Sequence, residues 1–124
     1  MPTRDRVQAF IDRVLSNAHA EAIEEFYHED ATMQENQNPP RGPRSALVDS
    51  ERKTLARHKS VDSRIVGPFF IDGEQAVIHW IFEFTRPDDT VMRIQEIAYQ
   101  TWRGDRIATE RFYYDPAQLR VAVA

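Results

Sequence analysis

Glu96 and Gln100 stand four residues apart in Ile94-Gln95-Glu96-Ile97-Ala98-Tyr99-Gln100-Thr101-Trp102, a run whose hydrophobic alternation has a period of two. In a strand this spacing puts both polar side chains on one face, beside Ile94, Ala98 and Trp102. The preceding run, Ala76 to Arg86, presents Ile78, Trp80, Phe82 and Phe84 on the matching face. A carboxyl group among indole and phenyl rings loses hydration, and desolvation lifts its pKa toward working pH. Glu96 is therefore a candidate to hold or deliver a proton, with the Gln100 amide as a neutral donor beside it. The competing arrangement is a structural ion pair of Glu96 with Arg111 or Arg93 across the strands, since an unpaired buried charge is expensive.

Other chemistries find little support. The chain has no cysteine, which excludes thiol nucleophiles, redox thiols and zinc–thiolate sites. Glu25-x-x-His28 has the spacing of di-iron helices, but such sites need two pairs of this kind and further carboxylates. His28 is expected in the last turn of its helix, His19 in solvent at the start of the same helix, and His79 on the opposite sheet face from Trp80. No metal site and no cofactor is expected. The four glycines, Gly42, Gly67, Gly73 and Gly104, all fall at breaks, so none is left to cradle a phosphate. Sixteen basic against twenty acidic residues give a net charge of −4 with no basic stripe, which argues against nucleic acid as a partner. No apolar run reaches the ~20 residues of a membrane span. Arg4, Asp5, Arg6 and Asp12 interrupt any signal-peptide core, and a cytoplasmic protein is expected.

The elements that must position these residues follow from periodicity. Val7, Phe10, Ile11, Val14 and Leu15 form a helical stripe, with Thr3 as N-cap and Asp5 in the first turn. A second helix is predicted from about Ala18 to His28, burying Ile23, Phe26 and Tyr27, after a break at Ser16-Asn17. A short stretch, Ala31 to Glu35, then enters a loop whose three prolines and glycine end at Pro43. Pro43 suits the first turn of a third helix reaching about Lys59, with the stripe Leu47, Glu51, Leu55 and His58. Half of that stripe is polar, so this helix is expected to face a cavity or solvent. From Val61 the period is two, giving strands Val61–Val66, Phe69–Ile71, Ala76–Arg86, Thr90–Trp102 and Arg106–Tyr114. Three helices and then an antiparallel meander make a single α+β domain, residues 1–124.

Both faces of the long hairpin are partly apolar; the second carries Val77, His79, Ile81, Ile97 and Tyr99. Three helices cover only one face, so the other either packs against a second copy in a homodimer or is a solvated face with scattered apolar residues.

Tyr27-His-Glu-Asp-Ala-Thr-Met-Gln-Glu35, Pro40-Arg-Gly42 and Trp102-Arg-Gly-Asp-Arg-Ile-Ala-Thr-Glu-Arg-Phe-Tyr-Tyr-Asp115 together resemble the SnoaL-like branch of the nuclear transport factor 2-like superfamily. Polyketide cyclases, ketosteroid isomerase and scytalone dehydratase share that fold. The resemblance implies a cone: three helices on a strongly curved sheet around a mostly apolar pocket, many members being homodimers and most cofactor-free. It places Glu35 at the general-base position of ketosteroid isomerase. The isomerase's two oxyanion donors fall on Ile11 and near Ala98, so both are missing and steroid isomerisation is disfavoured. Substitute donors would be Glu96 if protonated, Gln100 or Tyr114. The facing of the last strand is open by one residue: either Tyr114 and Phe112 point inward, or Tyr113 and Arg111 do. Glu35 also has a plainer role open to it, as a solvated strand-end carboxylate or a brace for Arg41 or Arg44.

The resulting expectation is a cofactor-free enzyme acting on a small-to-medium apolar carbonyl compound. Glu35 would take the proton and Glu96, Gln100 or Tyr114 would donate to the oxyanion. Met33, His58, Trp80, Phe82, Phe84, Trp102 and Phe112 would form the substrate wall. The alternative is a ligand-binding or assembly module of the same fold without catalysis.

Overall fold

The computed structural model describes residues 1–120 and 122–123. The first helix, α1 (Arg4–Leu15), begins as its cap dictates: the Thr3 hydroxyl accepts the Arg6 amide at 3.1 Å. It ends where Asn17 takes a left-handed backbone conformation, φ 66°. Helix α2 (His19–Phe26) is shorter than its pattern suggests. Tyr27 and His28 open a nine-residue strand, β1 (Tyr27–Glu35), so His28 lies on a strand and not in a last helical turn. After the proline-rich loop comes α3 (Arg44–Ala56), with Pro43 as its N-cap. The strands β2 (Ser60–Ile65), β3 (Phe70–Asp72), β4 (Gln75–Thr85), β5 (Val91–Arg103) and β6 (Arg106–Tyr113) follow, then a short 3-10 turn, Pro116–Leu119.

The sheet order is β1-β6-β5-β4-β2, with β3 beside β4. The β2–β4–β5–β6 portion is antiparallel, but β1 runs parallel to β6, so the sheet is mixed and not the all-antiparallel one expected. A parallel neighbour needs a long connection. The whole chain between β1 and β6 supplies it, which is why no local hairpin signal marks this pairing. Register shifts between Thr101 and Trp102, and between Tyr27 and Thr32, are the irregularities that let the sheet curl.

Phe10 of α1 sits at the centre of the core. Its ring meets Phe26, Tyr27, Trp80 and Trp102 edge-on, at centroid distances of 5.5, 6.0, 6.4 and 6.4 Å. Alternation along β4 and β5 buries Ala76, Ile78, Trp80 and Phe84, then Met92, Ala98, Gln100 and Trp102, the face expected to be inward. The opposite face leaves Ile97, Tyr99 and Tyr113 exposed. No helix among the described residues is long and apolar enough to cross a membrane.

The loop after β1 folds back on it. Met33 and Arg41 exchange backbone hydrogen bonds of 2.9 and 2.7 Å, which carries Arg41 back alongside the strand. Gly42 is required by this close approach, since a Cβ there would lie 2.6 Å from the Ala31 carbonyl oxygen. Gly42→Ala is expected to lower stability by ~1 to 3 kcal/mol through this backbone clash. Thermal denaturation of the variant checks it; an unchanged melting temperature would mean that the loop gives way freely.

Candidate functional site

The curled sheet and the three helices do not close on each other. They leave a cavity of about 240 Å³. Its apolar wall comes from Phe10 and Val14 of α1, Ile23 of α2, and Trp80, Phe82, Phe84, Ile94 and Phe112 of the sheet. Trp80 and Phe82 lie stacked, 22° apart in plane, with centroids at 5.3 Å. Four carboxyl groups, Glu35, Glu51, Glu96 and Glu110, line the same space, with His19, Tyr27, Arg41 and Tyr114. Leu119 of the terminal 3-10 turn also lines it, on a segment held by Gln118, whose side chain bonds the Gln95 amide and carbonyl at 2.9 and 3.2 Å.

Each carboxyl group has a different environment. Glu35, at the end of β1, receives Arg41 in a fork, Nη2 to Oε1 at 2.7 Å and Nε to Oε2 at 3.2 Å. It is the brace for Arg41 that its sequence context allowed. Glu51 of α3 faces His19, Oε1 to Nδ1 at 3.3 Å. Glu96 has no hydrogen-bond or salt-bridge partner among the described residues, so neither Arg93 nor Arg111 pairs with it. Arg93 instead binds Glu83 at 2.9 Å, while Arg111 donates to the Asn36 carbonyl at 2.9 Å. Burial drives the Glu96 pKa up to about 8, with Glu110, Glu35 and Glu51 adding repulsion. At neutral pH Glu96 is a carboxylic acid with a proton to donate. Glu110 is buried more deeply, on β6. It accepts the Tyr27 hydroxyl on Oε1 and the Gln100 amide on Oε2, the latter at 2.7 Å. Burial raises its pKa to about 7, against the lowering effect of those two donors.

Tyr114 lies just past β6. The pairing Ile97 with Tyr113, carried one residue on, sets it opposite Glu96. Its hydroxyl has no internal partner among the described residues, and burial with the nearby Glu35 and Glu96 raises its pKa. The last strand thus turns Phe112 and Tyr114 inward and leaves Tyr113 exposed.

Of the residues singled out from sequence, Met33, Glu35, Trp80, Phe82, Phe84, Glu96, Phe112 and Tyr114 meet around the cavity. Three do not. Trp102 is fully buried in the core, its indole N–H donating to Gln100 Oε1 at 3.0 Å. Gln100 is fully buried too, with both ends of its amide engaged, so it is no free donor. His58 follows the end of α3, which stops at Ala56. Its Nδ1–H donates to the Thr54 carbonyl at 2.7 Å, and its ring leans on Phe84. His19, expected in solvent, is buried at the cavity wall, with Nε2 2.7 Å from Ser63 Oγ; Ser63 in turn donates to Asn17 Oδ1 at 2.8 Å.

Glu110, Tyr27, Arg41 and the His19–Glu51 pair are the site residues that the sequence reading did not assign. Strand parity holds a signal for one of them: a β6 that turns Phe112 and Tyr114 inward must also turn Glu110 inward. Among the described residues no group of three or more His, Asp or Glu side chains is arranged to hold a metal ion.

The chain belongs to the SnoaL-like domain family, whose model matches residues 7–110. Solved structures share the whole architecture. One is a protein classed as a SnoaL-like polyketide cyclase from Mesorhizobium loti, 20% identical, with a TM-score of 0.76 over 92% of this chain and 100% of that one. Another is a ketosteroid isomerase-like fold protein from Catenulispora acidiphila in complex with trimethylamine, 16% identical, TM-score 0.77, covering 94% and 89%. A third is an LEH-like epoxide hydrolase from M. tuberculosis, 14% identical, TM-score 0.72, covering 94% and 84%. At these identities the likeness is one of fold. A search among curated proteins finds no match.

The raised Glu96 pKa has a consequence for stability. In the unfolded chain Glu96 ionises near the ordinary carboxyl value, whereas in the fold it keeps its proton to about pH 8. Its contribution is therefore full in acid and is lost as pH rises from the ordinary value through about 8. Glu96→Gln, which cannot ionise, is expected to gain melting temperature relative to the unsubstituted protein as pH rises from 5 to 8. Parallel melting curves across that range check this; a constant difference would mean that the carboxyl titrates normally.

Proposed function

We propose that this chain is a cofactor-free acid–base enzyme that moves a proton on a small, mostly apolar carbonyl compound. The observation that carries the reading is the pairing of two unengaged O–H groups, the Glu96 carboxyl and the Tyr114 hydroxyl, at one wall of an aromatic cavity that also holds carboxylates. The ring-lined walls exclude water and hold the carbon skeleton. Glu96 and Tyr114 donate hydrogen bonds to the carbonyl oxygen, replacing the oxyanion donors that Ile11 and Ala98 cannot supply. A neighbouring carboxylate removes the proton beside the carbonyl. Two carboxyl groups whose surroundings push their titrations apart can divide acid and base work in this way. Charge developing on oxygen in a dry site makes each preorganised donor worth far more than it is in water.

Deuterium exchange at the α-carbon of a simple ketone, 2-tetralone in D2O followed by NMR, tests the reading without knowledge of the natural substrate. The protein is expected to accelerate exchange above the buffer rate, with the rate falling above about pH 8 as Glu96 loses its proton. Glu96→Leu should cost ~100-fold or more, Glu96→Gln less because the amide still donates, and Tyr114→Phe less again. Exchange no faster than buffer would overturn the reading in favour of a binding module.

We propose also that the outer face of the sheet pairs with a second copy. Ile97 and Tyr113 are direct cross-strand neighbours there, Tyr99 lies two residues along, and all three are exposed. Sedimentation is expected to give a dimer that Tyr99→Glu dissociates. A monomeric unsubstituted protein would refute this.

A further inference from the structure

We infer that the proton-abstracting base of this site is Glu110, whose acceptor-only form is favoured by a one-way chain of hydrogen bonds that starts at Trp102. The inference rests on the acid–base reading above and names the carboxylate that performs it.

The direction of the chain is fixed at its origin. An indole N–H can only donate, so the atom of Gln100 facing Trp102 must be the amide oxygen, as found at 3.0 Å. The amide nitrogen is then the group that faces Glu110, and it can only donate, at 2.7 Å to Oε2. On the other oxygen the Tyr27 hydroxyl donates to Oε1. Burial and the neighbouring Glu110 raise the Tyr27 pKa well above its usual value, so the phenol keeps that proton. Both carboxylate oxygens thus accept a hydrogen bond from the protein. A proton on Oε2 would meet the Gln100 N–H, and one on Oε1 would require the Tyr27 hydroxyl to turn around. Each oxygen retains a further lone pair, and Glu110 lines the cavity.

The other carboxyl groups are placed for different work. Glu35 accepts its two hydrogen bonds from a cation, the Arg41 fork, and this ion pair makes it the anchor of Arg41. Glu51 is turned to His19. Glu96, without a partner, keeps its proton. Glu110 alone combines fixed neutral donors with access to the cavity and a pKa near 7, where a base works best at neutral pH.

The step balances within the site. The C–H bond beside the carbonyl breaks, its proton forms an O–H bond on Glu110, and the electron pair moves to the carbonyl oxygen, which Glu96 and Tyr114 hydrogen-bond. Replacement of that proton by a solvent deuteron before return to the same carbon gives exchange, and return to a conjugated carbon gives isomerisation.

Exchange on 2-tetralone across pH 5 to 9 separates the candidates. Glu110→Gln is expected to lose ~100-fold or more, with Glu35→Gln losing at least ~10-fold less than Glu110→Gln. Tyr27→Phe and Gln100→Met each remove a donor that favours the anion. Each should move the acidic limb of the profile to higher pH by ~1 unit, a shift that general loosening of the fold would not produce. If Glu110→Gln does not fold, these two variants decide alone: a displaced acidic limb supports Glu110, an unmoved one overturns it. Loss of exchange in Glu35→Gln with Glu110→Gln active would overturn the inference and leave the proposed function standing. No exchange in the unsubstituted protein would overturn both.

Discussion

Seating an unpaired carboxyl group against a mostly apolar wall, largely removed from water, is the constraint on which the site depends. An ionised carboxylate in an apolar cavity costs several kcal/mol, and the group escapes that cost by holding its proton. Glu96 does this because its strand neighbours across the register are Trp80 on one side and Tyr114 on the other, neither of which offers a cation. Cations nearby are on the outer face, where Arg93 of β5 and Arg64 of β2 share Glu83. Strand alternation therefore separates the charges into a neutralised outer ladder and an inner face with carboxyls but few counterions.

The rest of the fold maintains that separation. Phe10 ties α1 to both tryptophans and fixes the distance between the helical layer and the sheet. The buried ladder Trp102–Gln100–Glu110–Tyr27 gives each of its side-chain polar atoms a partner, as does every side-chain N or O wholly shut off from solvent among the described residues. Such a network specifies one arrangement of its members, with Glu110 and Tyr27 at the cavity wall. At the rim, the Arg41–Glu35 fork and the segment docked by Gln118 hold two loops at the edge of the hollow. Catalysis, on this account, comes from groups placed before any ligand arrives.

Much of this architecture is legible in the sequence because it rests on short-range periodicity. The i, i+3, i+4 stripe of α1, its Thr3 cap and the inner-face parity of β4 and β5 are local patterns, and the structure has them. The resemblance to the SnoaL-like family is likewise carried by contiguous stretches. What periodicity could not convey is partnership over distance. The hydroxyl of Tyr27 meets Glu110 across 83 positions of chain, and His19 reaches Ser63 across 44. The parallel seating of β1 on β6 has no turn to announce it, so Tyr27 read as the end of a helix. Gln100 and Trp102 have the parity of cavity residues but lie behind the wall, because inward on a curled sheet means core at one end and hollow at the other.

The most direct measurement is the titration of the Glu96 side-chain carboxyl by carbon-13 NMR in the unliganded protein, assigned with Glu96→Gln. The account predicts a midpoint near 8, with the acid form dominant at neutral pH. A midpoint at the ordinary carboxyl value would mean that water or a cation reaches the group, and the proton donor on which the proposed chemistry rests would not exist.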